Sequence, residues 1–186
     1  MSSCCRARWI ATVFITLACV GCTDREATEP SSLRLDAALA ERNQQLWLDA
    51  RINFEPGPEI REALRSGVEI TLVLAVHQQI RLGPLHWSRA WRSYPLRMGY
   101  LPLTEQWWLD IDGERTLFPR QWLMLDALAS GHAYPLADAD GLDPSRLSAR
   151  VRLDRSALPP PMQLPALFSS TWRLRSPAWP SAPATS

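Results

Sequence analysis

Beyond residue 22 the chain has no cysteine; Cys4, Cys5, Cys19 and Cys22 are the full set. The part that follows therefore carries no disulfide, no thiolate metal ligand and no cysteine nucleophile. Its fold must rest on a packed core, which a chain of 186 residues is long enough to supply. Glycine is scarce, with 8 residues. None of them builds a Gly-rich phosphate loop, and none places Ser130, Ser169 or Ser170 in a Gly-x-Ser-x-Gly elbow. Lysine is absent, so all 20 basic residues are arginine. With Arg6 and Arg8 set aside as part of a leader, 18 arginines face 19 acids, and that balance gives no reason to expect nucleic acid as a partner.

What is present begins with that leader. Arg6 and Arg8 precede an uncharged apolar run from Trp9 to Val20, and Asp24 ends the uncharged stretch. A spanning helix needs roughly 20 apolar residues, so the run reads as a signal peptide over residues 1–22. Its end, Leu17-Ala18-Cys19-Val20-Gly21-Cys22, resembles a bacterial lipobox, which makes Cys22 the expected lipidation site. Cys19 stands where leucine is usual and is itself an alternative; an ordinary signal peptide cleaved nearby is another. Thr23, with Asp24 only after it, leans towards the outer membrane and leaves the inner one open. Residues 23–32 are polar and contain proline, a tether that would hold the domain near the membrane.

The domain is expected over residues 33–175, organised around residues 68–81. There Val68, Ile70, Leu72, Leu74, Val76 and Ile80 share one parity, a period of two that predicts a long central strand. Residues 33–39 read as a first strand. In residues 45–55 Leu46, Leu48, Ala50, Ile52 and Phe54 alternate with polar residues. Residues 59–66 read as a short helix stopped by Gly67, with Ile60, Ala63 and Leu64 as its stripe. Gly83-Pro84 turns the chain into a strand over residues 87–97, where Pro95 suggests an edge or a bulge. Residues 106–111 and 114–118 form a hairpin about Asp112-Gly113. A second helix is expected over residues 119–130 with a stripe of Trp122, Leu125, Leu128 and Ala129, and a loop over residues 132–144. Leu147, Ala149, Val151 and Leu153 mark another strand, Pro159-Pro160-Pro161 a rigid extended spacer, and residues 176–186 a frayed tail. The expected fold class is α+β, a mostly antiparallel sheet or β-sandwich with two short helices.

Two segments resemble a bacterial envelope family, domain of unknown function 4390. One runs over residues 59–109 and includes EIREALRSGVEITLVL and Tyr100-Leu101-Pro102-Leu103-Thr104. The other is LPPPMQLPAL over residues 158–167, followed by Trp172-Arg173-Leu174. The family pattern has histidine after the tyrosine, where this chain has Leu101. The resemblance implies an exported protein, often encoded beside a sensor histidine kinase, which makes such a kinase a candidate partner. It implies no activity and no catalytic residues.

The residues themselves offer little chemistry. His77 and His86 could meet across a turn, but no third metal ligand is evident. Asp110, Asp112 and Glu114 fit a solvated turn, and Asp138, Asp140 and Asp143 lack the distant glutamate of a calcium loop. No enzyme and no cofactor are expected. The more suggestive group is Trp87, Arg89, Trp91, Arg92 and Arg97, because arginine and tryptophan are favoured at interaction hot spots and pair as cation–π contacts. The same residues could instead cover the rim of the core. The favoured expectation is a membrane-tethered periplasmic binding or adaptor module. A lipid or lipoprotein carrier is the alternative, and an envelope hydrolase a third.

Overall fold

A computed structural model of the chain describes residues 30–82, 85–138 and 143–179. The leader with Cys22, the Gly83-Pro84 turn, Asp140 and residues 180–186 lie outside the described residues. Among the described residues eight strands and three α-helices follow in order: β1 (Ser32–Arg42), β2 (Gln45–Glu55), α1 (Pro58–Arg65), β3 (Ile70–Leu82), β4 (Leu85–Leu101), β5 (Gln106–Ile111), β6 (Glu114–Phe118), α2 (Gln121–Ala129), β7 (His132–Asp138), β8 (Leu147–Leu153) and α3 (Pro160–Phe168). They make an α+β sandwich of two antiparallel sheets, one ordered β1-β2-β7 and the other β6-β5-β4-β3-β8.

The period-two rows become the core. Leu46, Leu48, Ala50, Ile52 and Phe54 of β2 are buried, and so are Ile70, Leu72, Leu74 and Val76 of β3. Leu147, Ala149, Val151 and Leu153 of β8 continue the layer beside β3. The shorter sheet lies over one side of the longer one, with β1 against β8. The overhanging β5–β6 hairpin is closed by α2, which packs on β2, β5 and β6. Asp112 (φ 56°) and Gly113 (φ 86°) both take the left-handed backbone that a two-residue hairpin needs.

The registers give the sandwich two distinct ends. Pairing of Leu72 with Leu153 and of Ile70 with Met98 places the start of β3, the end of β4 and the end of β8 together. α1 links that end to Glu55, whose partner Ser32 opens β1. The first described residues and α3, which follows β8, are therefore at the same end. At the other end Trp91 and Tyr94 of β4 reach Leu136 and Pro135 near the end of β7.

Four expectations need correction. Residues 132–138 are a strand rather than loop, because β7 pairs along β2 from Ala50 to Gln45. Pro160 and Pro161 open α3 instead of forming a spacer, since the first helical turn needs neither missing N–H. α2 buries Met124 and Leu128, whereas Trp122 points outward. The segment after residue 175 is not frayed as far as Trp179: Ser176 N donates to Val151 O and Trp179 N to Ala149 O, each at 2.8 Å. The last segment thus covers the open edge of β8, which would otherwise offer unpaired backbone groups.

Candidate functional site

β3 and β4 outrun their neighbours. Pairing with β8 stops at Gln78 on β3, and pairing with β5 stops at Leu96 on β4. What continues is a two-stranded arm, in which Gln79 pairs with Ser88 and Ile80 with Trp87, while the Gln78–Arg89 pair stands at its base beside β8. Pro95 stands just where β4 has left β5, so its missing N–H falls at an edge as its residue type requires.

A bulge decides which side chains share a face. Val76 pairs with Arg92 and His77 with Ala90, so Trp91 is the extra residue on β4. The bulge reverses the parity of β4. Trp87, Arg89 and Arg92 consequently lie on the face that carries Leu72, Leu74 and Val76, but Trp87 and Arg89 lie beyond the core. Trp87 is 46% exposed. Trp91 is partly spent on the fold, since its Nε1 donates to Leu136 O at 3.0 Å. Arg97 pairs with Thr71 on the opposite face, with its Nε 3.8 Å from Glu69 Oε1. The register therefore puts Trp87, Arg89 and Arg92 on one face, with Trp91 at the bulge between Arg89 and Arg92, and places Arg97 on the other.

The arm is also cationic for a reason visible in the sequence. No acid occurs between Glu69 and Glu105, while Arg81, Arg89, Arg92 and Arg97 all do. In a near-neutral chain that run concentrates positive charge on one hairpin. Arg81 adds to the charge of this run, and the absence of acids, not Trp–Arg interleaving, is the signal that finds it.

The other candidates separate. His77 pairs with Ala90 and His86 with Arg81, so the two histidines are not opposite one another. No cluster of three His, Cys, Asp or Glu able to hold a metal occurs among the described residues. Asp110 closes its hairpin by accepting from Gly113 N at 3.0 Å. Asp143 caps a 3₁₀ turn at Pro144–Arg146, accepting from Ser145 N at 3.0 Å and Oγ at 2.6 Å. Those bonds hold its carboxyl below the usual carboxylate range. Ser130 Oγ donates to Ala127 O at 2.7 Å, a helix-end contact.

One buried group stands out inside. Tyr134 is 3% exposed, and its hydroxyl has no hydrogen-bond partner among the described residues. Its ring lies 4.9 Å from that of Tyr94, whose own hydroxyl donates to Pro135 O. Burial, then the charges of Asp112 and Tyr94, push the Tyr134 phenol well above its ordinary value. A phenol raised in the folded state stabilises the fold below the unfolded value of about 10, and that stability is lost as pH climbs above it. Stability should therefore fall above about pH 10, and Tyr134→Phe should flatten that fall. At neutral pH the same substitution should add about 1 kcal/mol by removing an unsatisfied hydroxyl. Urea titrations of both proteins across this range check each sign.

A family model described as "Domain of unknown function (DUF4390)" matches residues 32–182. No curated protein and no solved structure matches the chain. No helix among the described residues is long and apolar enough to cross a membrane.

Proposed function

We propose that this chain, which belongs to the DUF4390 family, is a membrane-tethered periplasmic adaptor that engages an acidic surface of an envelope partner through the β3–β4 arm. The observation that carries the reading is the arm itself: a hairpin that projects past both flanking strands, with Trp87 exposed on it and the exposed Arg89 at its base. Aromatic and arginine side chains are the groups that anchor protein interfaces. The registers support the geometry, because the start of β1 and the arm lie at opposite ends of the sandwich. A lipid on Cys22 would thus hold one end near the bilayer and turn the arm away from it. The resemblance to the family makes a sensor histidine kinase the candidate partner.

In-cell crosslinking of the tagged chain from native membranes tests this. One dominant protein partner is expected, lost in Trp87→Ala/Arg89→Ala. Both side chains are exposed, so the double variant should keep the wild-type melting curve. Retention of the partner in that variant would overturn the arm. Cys22→Ala should move the chain to the soluble fraction, and unchanged fractionation would overturn the tether. The carrier reading would gain if a lipid, and no protein, were captured reproducibly.

A further inference from the structure

We infer that the end of the sandwich opposite the arm is a contact surface for an anionic phospholipid bilayer, with α3 entering the interface. This rests on the tether proposed above and adds a second, direct hold on the membrane.

Three observations carry it. First, α3 presents Leu164, Leu167 and Phe168 at i, i+3 and i+4, so they share one face. They are 68%, 45% and 83% exposed, while Ala166 and the flanking Leu158 and Trp172 are buried. The helix is thus held to the core by one side and leaves its other apolar side uncovered. Second, a cleft of about 660 Å³ beside α3 is lined by Arg152, Arg155, Arg173 and Arg175 against a single carboxylate, Asp154. Arg155 donates to Ala166 O at 3.4 Å and Arg173 to Leu167 O at 2.9 Å. These bonds fix two guanidinium groups next to the apolar face. Each uses one of five N–H donors, which leaves forks free for phosphate oxygens. Apolar side chains flanked by arginine match the two layers of a membrane surface, acyl chains below and phosphates above. Third, the chain leaves the domain at this end, where Ser32 pairs with Glu55 and Ser31 Oγ accepts from Gly57 N at 2.7 Å. Ten residues, 23–32, reach at most about 35 Å when extended. A chain anchored at Cys22 therefore keeps the start of β1, which is at the same end of the sandwich as α3, within that reach of the headgroups.

The test places a photo-crosslinking residue in the full-length chain, Phe168→p-benzoylphenylalanine, with Ser88→p-benzoylphenylalanine in the arm as control. Phospholipid adducts are expected in cells at position 168 and not at 88. In a membrane-bound chain, a protein adduct at 168, or none, overturns the contact. In reconstituted vesicles the yield at 168 should drop several-fold when phosphatidylglycerol is omitted from phosphatidylcholine, and again in high salt, which screens such contacts. Arg155→Gln/Arg173→Gln should reproduce the loss. Because both arginines bond α3, the salt series decides the matter if that variant melts early. A yield indifferent to lipid charge and salt overturns the anionic surface. Fractionation of the same chain separates the two readings. A membrane-bound chain without lipid adducts sinks only the α3 contact. A chain found soluble sinks the tether, and adding it to the same vesicles still decides the contact.

Discussion

Leu74→Ala should lower stability by about 2–5 kcal/mol, read as a shift of the urea midpoint at unchanged slope. Leu74 is fully buried on β3, paired with Tyr94 of β4 on one side and Val151 of β8 on the other. It also faces the shorter sheet across the sandwich. Removing the side chain loses its transfer free energy and leaves a cavity whose walls are held by two strand ladders, so relaxation is limited. A domain of this size holds about 5–15 kcal/mol in all, so the loss is a large share. His77→Ala on the other face of the same strand, where the sheet meets solvent, should stay within about 0.5 kcal/mol. Equal effects at the two positions would mean that the outer face of β3 is covered in solution.

That contrast shows what was legible in the sequence. Where one face is buried and the other solvated, alternation survives in the residues, and β2, β3 and β8 could be read almost to their ends. Where burial is not one-sided, the pattern is erased. α2 (QWLMLDALA) is apolar nearly all round, so spacing could not single out Met124 and Leu128 over Trp122. β7 (HAYPLAD) has only Tyr134 and Leu136 as large apolar residues of one parity, with Pro135 between them. It is a strand because β2 pairs with it and because Trp91 and Tyr94 donate to its carbonyls, all tertiary facts. The triple proline offered two physical readings, extended spacer or helix start, and the downstream MQLPAL turn selected the second.

The candidate site was legible as a list of residue types and illegible as a geometry. Trp87, Arg89, Trp91 and Arg92 could be named from interleaving alone. Their common face depends on the bulge at Trp91, which is set by the register with β3 and leaves no residue signature. The motif that resembles the family near the C-terminus proves to be largely structural. Leu158, Ala166 and Trp172 are core, and Gln163 Nε2 donates to Leu158 O at 2.8 Å and to Ser156 O at 3.2 Å. Gln163 thereby ties α3 to the turn before it. Leu164 and Leu167 of the same stretch are left largely exposed, on the face assigned here to the bilayer.

Gly99→Ala should destabilise the domain by about 1–3 kcal/mol, the cost of overpacking. The expected sign is informative because the backbone argues the other way. Gly99 is in the middle of β4, with no positive φ to protect. Replacing a strand glycine by alanine normally gains about 0.5–1 kcal/mol through lost freedom in the unfolded chain. Here the added Cβ would stand 2.8 Å from three atoms of the Trp108 indole. Trp108 is the cross-strand partner of Gly99, and Arg115 covers its ring with the guanidinium carbon 4.0 Å from the centroid. The indole is thus confined between a backbone with no side chain and a cation, and it moves only by giving up one of them. The double variant isolates the cause. In a Trp108→Leu background the clash is gone, and Gly99→Ala should become neutral or stabilising, a coupling of about 2 kcal/mol between the sites. If Gly99→Ala costs the same in both backgrounds, the glycine is needed for the backbone of β4 rather than as a seat for the tryptophan.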